Sequence, residues 1–223
     1  MNILGHELST QANEICKDLK SNIKINLSIC KDTNTYVSIN SNHSYTIHIS
    51  EKPLDTLEFR FIHEMCHIYQ FENGYYRISK CLIKDRIIQK LLIHINDFVL
   101  DTDVHERLRT IYDYNIHDFS KHEKYNNYIH MVSNIPNNSL NSIGAKILAI
   151  ECAYIYFNDS AESAMDLINK STRISTQVKE YFDLIISEYS HGITTSSEFA
   201  KEKILHICHI LDLDECYSLD VHQ

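Results

Sequence analysis

The sequence predicts an α+β fold: a small N-terminal β-sheet packed on one HExxH helix, followed by a mostly helical C-terminal half. Three observations predict it. Apolar residues alternate with polar ones in short runs over residues 24–50 and recur at helical spacing afterwards. Only four Gly and two Pro punctuate 223 residues, which favours long helices over a many-turned β fold. The chain is 43% hydrophobic and 23% charged, an ordinary globular balance that can build a core.

The elements follow in order. Residues 7–22 place Leu8, Ala12, Ile15, Cys16 and Leu19 near one face of a helix. Lys24–Cys30 alternates Ile25, Leu27 and Ile29 with polar neighbours, and Tyr36–Asn40 carries Val37 and Ile39. Tyr45–Ser50 sets Tyr45, Ile47 and Ile49 against Thr46, His48 and Ser50. The polar link Ser41-Asn42-His43-Ser44 makes the last two runs a hairpin. Asp55 and Glu58 form a capping-box pattern after Pro53, so a helix is expected over Thr56–Glu72, ending at Asn73-Gly74.

A second long helix is expected from Ile83 to Leu100, extending to Leu108. The stretch 113–141 is rich in Asn, His and Tyr and reads as loop with short helical pieces. Helical spacing resumes at 142–157, 160–169, 174–189 and 196–211, with Thr195 and Glu198 as another capping box. A core over 1–120 and a helical region over 121–223, packed as one domain, is the expected organisation.

Charge and cysteine content narrow the function classes. A net charge of −9 argues against an unaided nucleic-acid binder, because phosphate binding needs clustered cations. No apolar run is long enough to span a bilayer. Residues 1–6 lack a basic region followed by an apolar stretch, so no secretory signal is expected. Seven scattered Cys without a CxxC fit a reducing compartment. A cytoplasmic protein with no nucleic-acid and no membrane partner is the expectation; the oligomeric state is not readable.

The chemistry centres on His63-Glu64-Met65-Cys66-His67. On a helix, His63 and His67 lie one turn apart on one face and can share one zinc ion. Glu64, rotated by about 100°, stands beside the metal, where it can act as general base toward a zinc-activated water. Phe61, Ile62, Met65, Ile68 and Phe71 surround the motif, and polar groups facing into such a helix need partners. Cys66 within the motif reads as a small buried apolar residue.

At these residues the chain resembles the zincin metallopeptidases. The order helix, small sheet ending in an edge-like strand, then HExxH helix is similar as well, over about residues 1–110. The resemblance implies one Zn2+ per chain and hydrolysis of a peptide or protein substrate. It also implies β-addition of that substrate along Tyr45–Ser50, with Tyr45, Ile47 and Ile49 as substrate-binding residues. The metzincin continuation is absent. Asn96-Asp97-Phe98-Val99-Leu100-Asp101 resembles the gluzincin Asn-Glu-x-x-x-Asp pattern with Asp in place of Glu. It implies Asp97 as third ligand and Asp101 as the residue orienting His63.

A different helix register would make Asp101, His105 or Glu106 the third ligand, and Glu151 is a more distant candidate. Tyr112, Tyr114, His105 and His117 are the candidates for stabilising an oxyanion. The His206/His209 pair around Cys208 reads as surface or core histidines. Tyr75-Tyr76 either lines the cleft or packs. The region 142–211 either closes the core or recognises a substrate or partner. The competing reading of the whole chain is a non-catalytic module, zinc-stabilised or simply helical, that binds other proteins.

Overall fold

The computed structural model describes residues 2–19, 24–30, 35–40, 43–50, 54–116, 123–189 and 194–221. The fold is mixed α+β, with small N-terminal sheets followed by a mostly helical C-terminal half. The chain forms two compact units, one of Met1–Gly74 with Arg107–Phe119, the other of Tyr75–Glu106 with Ser120–His222. The division therefore does not fall at residue 120 alone. No helix among the described residues is long and apolar enough to cross a membrane.

The first unit opens with a two-residue hairpin, β1 (Asn2–Ile3) and β2 (His6–Glu7), whose turn places Leu4 and Gly5 at positive φ. Helix α1 (Thr10–Leu19) buries Ala12, Ile15, Cys16 and Leu19, the face its spacing predicts. Burial pushes the Cys16 thiol up to about 11, so it packs as a small hydrophobe. A three-stranded sheet follows, of β3 (Ile25–Cys30), β4 (Tyr36–Ile39) and β5 (Tyr45–Ser50). Its order is β3-β5-β4, with β3 parallel and β4 antiparallel to β5.

This order corrects the expectation that Tyr45–Ser50 is an edge. All six β5 residues pair with β3, and Tyr45–His48 pair with β4 as well. Tyr45, Ile47 and Ile49 point into the core, and the Tyr45 hydroxyl bonds Glu72 at 2.5 Å. Over Tyr45–His48 the strand is paired on both sides and offers no free edge to an added peptide, and Tyr45, Ile47 and Ile49 are core residues. On the opposite face His48 stacks on Tyr36 and bonds the Ser38 hydroxyl.

Helix α2 (Leu57–Glu72), entered through a 3-10 turn at Leu54–Thr56, packs on β5 and α1. Its end falls as predicted, with Asn73 bonding back to the Tyr69 carbonyl and Gly74 at φ 69°. Its beginning differs. Thr56 is the N-cap without a side-chain cap bond, and Glu58 is not a capping-box acid. The Glu58 carboxylate instead accepts from Ser9 N, the Ser9 hydroxyl and the Tyr114 hydroxyl. Gln11 reaches the carbonyls of Tyr112 and Asp113.

The second unit contains β6 (Tyr76–Cys81) and the helix α3 (Arg86–Thr110) as far as Glu106. Its other helices are α4 (Glu123–Asn134), α5 (Ser142–Asn158), α6 (Ala161–Ser171), α7 (Gln177–Tyr189) and α8 (Ser197–Ile210), closed by β7 (Tyr217–Val221). Helix α5 is apolar on all sides and is the core element, packed against α6 and α7. Asn141, Ser160 and Ser196 cap α5, α6 and α8 through side-chain bonds to Gly144 N, Ser163 N and Phe199 N. Thr195 is therefore not the cap of the last helix. Strands β6 and β7 pair antiparallel, and neither was expected. Part of the stretch read as loop is the three-turn helix α4.

Candidate metal centre

Helix α2 in the first unit carries the HExxH residues. Phe61, Ile62, Met65, Cys66 and Ile68 are buried, so the helix is fixed in rotation by its apolar face. That fixing turns His63 and His67 toward one another, both half-buried. Their Nε2 atoms lie 3.0 Å apart and their rings meet edge to face at a centroid distance of 4.7 Å. Phe59 flanks the His63 ring at 5.8 Å. Glu64, the next residue along the helix from His63, is buried, at 7% exposure.

The arrangement fits zinc. Two Zn–N bonds of about 2.0–2.1 Å at a tetrahedral angle put their nitrogens roughly 3.3 Å apart, close to the observed separation. The other nitrogen of His67, Nδ1, lies 2.8 Å from Oε1 of Gln70, which is itself buried. With Nδ1–H donating to that oxygen, the Nε2 lone pair of His67 is left for a metal. Gln70 was not singled out in the sequence. Its place three residues after His67 on the same helix face was the available signal. Cys66 is buried within the helix packing, as expected of an apolar role.

The acidic candidates belong to the second unit. On α3, Asp101 accepts a 3.1 Å hydrogen bond from the hydroxyl of Tyr154, whose ring is covered by the Lys124 ammonium at 3.3 Å. Burial, then the Asp101 charge, pushes the Tyr154 hydroxyl well above the usual phenol range. Asp97, one turn earlier, keeps part of its side chain in solvent, yet its carboxyl is raised to about 6. The protein atoms crowding the carboxyl end are the larger cause and the Asp101 charge the second.

The other candidates are placed as follows. His105 is buried and bonds Asn158, which bonds Thr102, in the interior of the second unit. Glu106 is half-buried. Glu151, 1% exposed, is held by His94 Nδ1 at 2.5 Å and Lys124 Nζ at 3.0 Å. Burial opposes its ionisation, but the bonds from His94 and Lys124 win and hold its carboxyl below the usual range. Tyr112 donates to Asp18 and Tyr114 to Glu58, while His117 lies outside the described residues.

Tyr75 donates to Asp103, and Tyr76 stacks under Lys201. His206 turns to Glu188 and His209 to Asp214, so this pair does not converge on a common point. No family model matches the chain, and neither a curated protein nor a solved structure matches it.

Proposed function

We propose that the protein is a zinc-dependent metallopeptidase of gluzincin-like type, acting in the cytoplasm on a narrow, regulatory protein substrate. The supporting observation is the convergence of the His63 and His67 Nε2 atoms beside a buried Glu64, with Gln70 fixing the His67 ring. A catalytic zinc needs a third protein ligand and an open position. A carboxylate of α3 is the proposed third ligand. Ligating carboxylates are themselves hydrogen-bonded, and the Tyr154 bond to Asp101 favours Asp101 over Asp97. The proposed set is His63, His67 and Asp101, with Asp97 as the flanking acid.

When bound, zinc would supply Lewis acidity toward the peptide carbonyl and lower the pKa of water to about 7. The residues of the chain do the rest. Glu64 accepts a proton from the attacking water and returns it to the leaving amine nitrogen. Gln70 holds His67 in its metal-binding tautomer.

Zinc content and hydrolysis of a mixed peptide library test this reading. Wild type should carry one zinc per chain and cleave the library at selected bonds. Glu64→Gln should keep the zinc and lose about 10²–10⁴-fold in rate. Undiminished hydrolysis by Glu64→Gln, or a wild type without zinc after purification with the metal supplied, would overturn it. In the second case the helical interaction module becomes the better reading.

A further inference from the structure

We propose that the corner between β6 and α3 is a docking surface for anionic lipid bilayers. Four large aliphatic side chains stand in solvent within one short stretch: Leu82 (54% exposed), Ile83 (41%), Ile87 (48%) and Ile93 (50%). Between and beside them stand Lys80, Lys84, Arg86 and Lys90, all exposed. None of these four cations has a carboxylate partner among the described residues. The acid in their midst, Asp85, is committed to the α3 N-terminus, where its Oδ1 accepts from Ile87 N and Ile88 N.

Charge complementarity names the partner. The chain carries −9 overall, yet Lys80–Lys90 holds four cations against one acid. Unneutralised cations in an acidic protein are set against an anionic surface. The residue types favour lipid over protein. Protein interfaces are enriched in aromatic residues and Arg and depleted in Lys. Here the cations are three Lys and one Arg, and the apolar residues are aliphatic. Long Lys stems lie along apolar surface while their ammonium groups reach headgroup phosphates.

On α3, Ile87, Lys90 and Ile93 recur at three-residue steps, so apolar and cationic groups share the outward face of its first turns. An open recess of about 460 Å³, lined by Lys80, Cys81, Ile83, Lys84, Arg86 and Gln89 among others, gives a headgroup room between the cations. The expectation of no membrane partner rests on the lack of a spanning run, which does not register a local, surface-lying patch.

The experiment is flotation of the purified 223-residue chain with phosphatidylcholine vesicles, with and without phosphatidylserine. Wild type should float with the anionic vesicles only, and less as salt is raised. Lys80→Glu with Lys84→Glu should weaken binding by at least about 30-fold, at roughly fivefold per cation lost and more for reversal. Leu82→Ser with Ile83→Ser should abolish flotation even at low salt. All four positions are exposed, and unchanged circular dichroism establishes folding. Equal partition of wild type with neutral and anionic vesicles, or full binding by the charge-reversed variant, would overturn the proposal. Wild type that ignores both vesicles but binds poly-glutamate would overturn it in favour of an acidic protein partner.

Discussion

Oε1 of Gln70 sits 2.8 Å from Nδ1 of His67, on the side of the imidazole away from His63. With Oε1 accepting, the ring proton sits on Nδ1 and the Nε2 lone pair faces His63. Gln70→Ala should weaken zinc binding about 10–100-fold, measured by competition with a chromophoric chelator. Gln70→Glu, a stronger acceptor in the same place, should bind at least as tightly as wild type. An unchanged affinity in Gln70→Ala would remove Gln70 from the centre.

The two acids of α3 can be separated. Asp101→Asn should lose the zinc on dialysis, and Asp97→Asn should retain it. Tyr154→Phe, which removes the hydroxyl donating to Asp101, should lower zinc affinity by about tenfold or more. The opposite pattern in the two Asp variants would make Asp97 the ligand and Asp101 the residue that orients His63.

Glu151 ties together three helices of the second unit. Its carboxylate receives His94 from α3 and Lys124 from α4, and the Tyr128 hydroxyl also bonds it. Removing one partner of a buried ion pair leaves the other charge unpaired, so Glu151→Ala should cost about 3–5 kcal/mol in urea unfolding. Its folded pKa is depressed below the reference 4.5. The stabilisation is therefore complete above that value and is lost as pH falls through the folded pKa. Wild type should lose stability with acid more steeply than Glu151→Gln; parallel profiles would contradict the ion pair.

Central placement of β5 makes a further prediction. Ile47 is fully buried, so Ile47→Ala should cost about 2–5 kcal/mol in stability. Where Ile47→Ala still folds at low temperature, its KM for any cleaved peptide should match that of wild type. A raised KM with unchanged stability would restore the strand as a substrate site.

Much of this was legible in the amino-acid order. The β5 strand was found to the residue because strict alternation has no helical alternative over six positions. The end of α2 was found because Gly74 relieves a positive φ there. Sheet order was not legible: alternation tells which face a residue takes and is silent on which strand stands beside it. Strands β6 and β7 were missed because each pairs only with a segment far away in sequence. Helix α4 is longer than the short helical pieces expected there, because the weak propensity of its Asn, His and Tyr residues is overridden by packing against α6. At the centre, HExxH announced itself, whereas Gln70 is an ordinary helix residue until the His67 ring turns toward it.

The bonds from Glu58 to Ser9 and Tyr114, and from Gln11 to the Tyr112 and Asp113 carbonyls, close the first unit with residues from both sides of an inserted stretch. That has a consequence for birth on the ribosome. Translation delivers residues in order at about 5–20 per second, so the histidine pair is synthesised seconds before Tyr112–Tyr114 can reach the exit tunnel's mouth. A nascent chain cannot complete the unit that carries α2 until most of the second unit's α3 has already emerged.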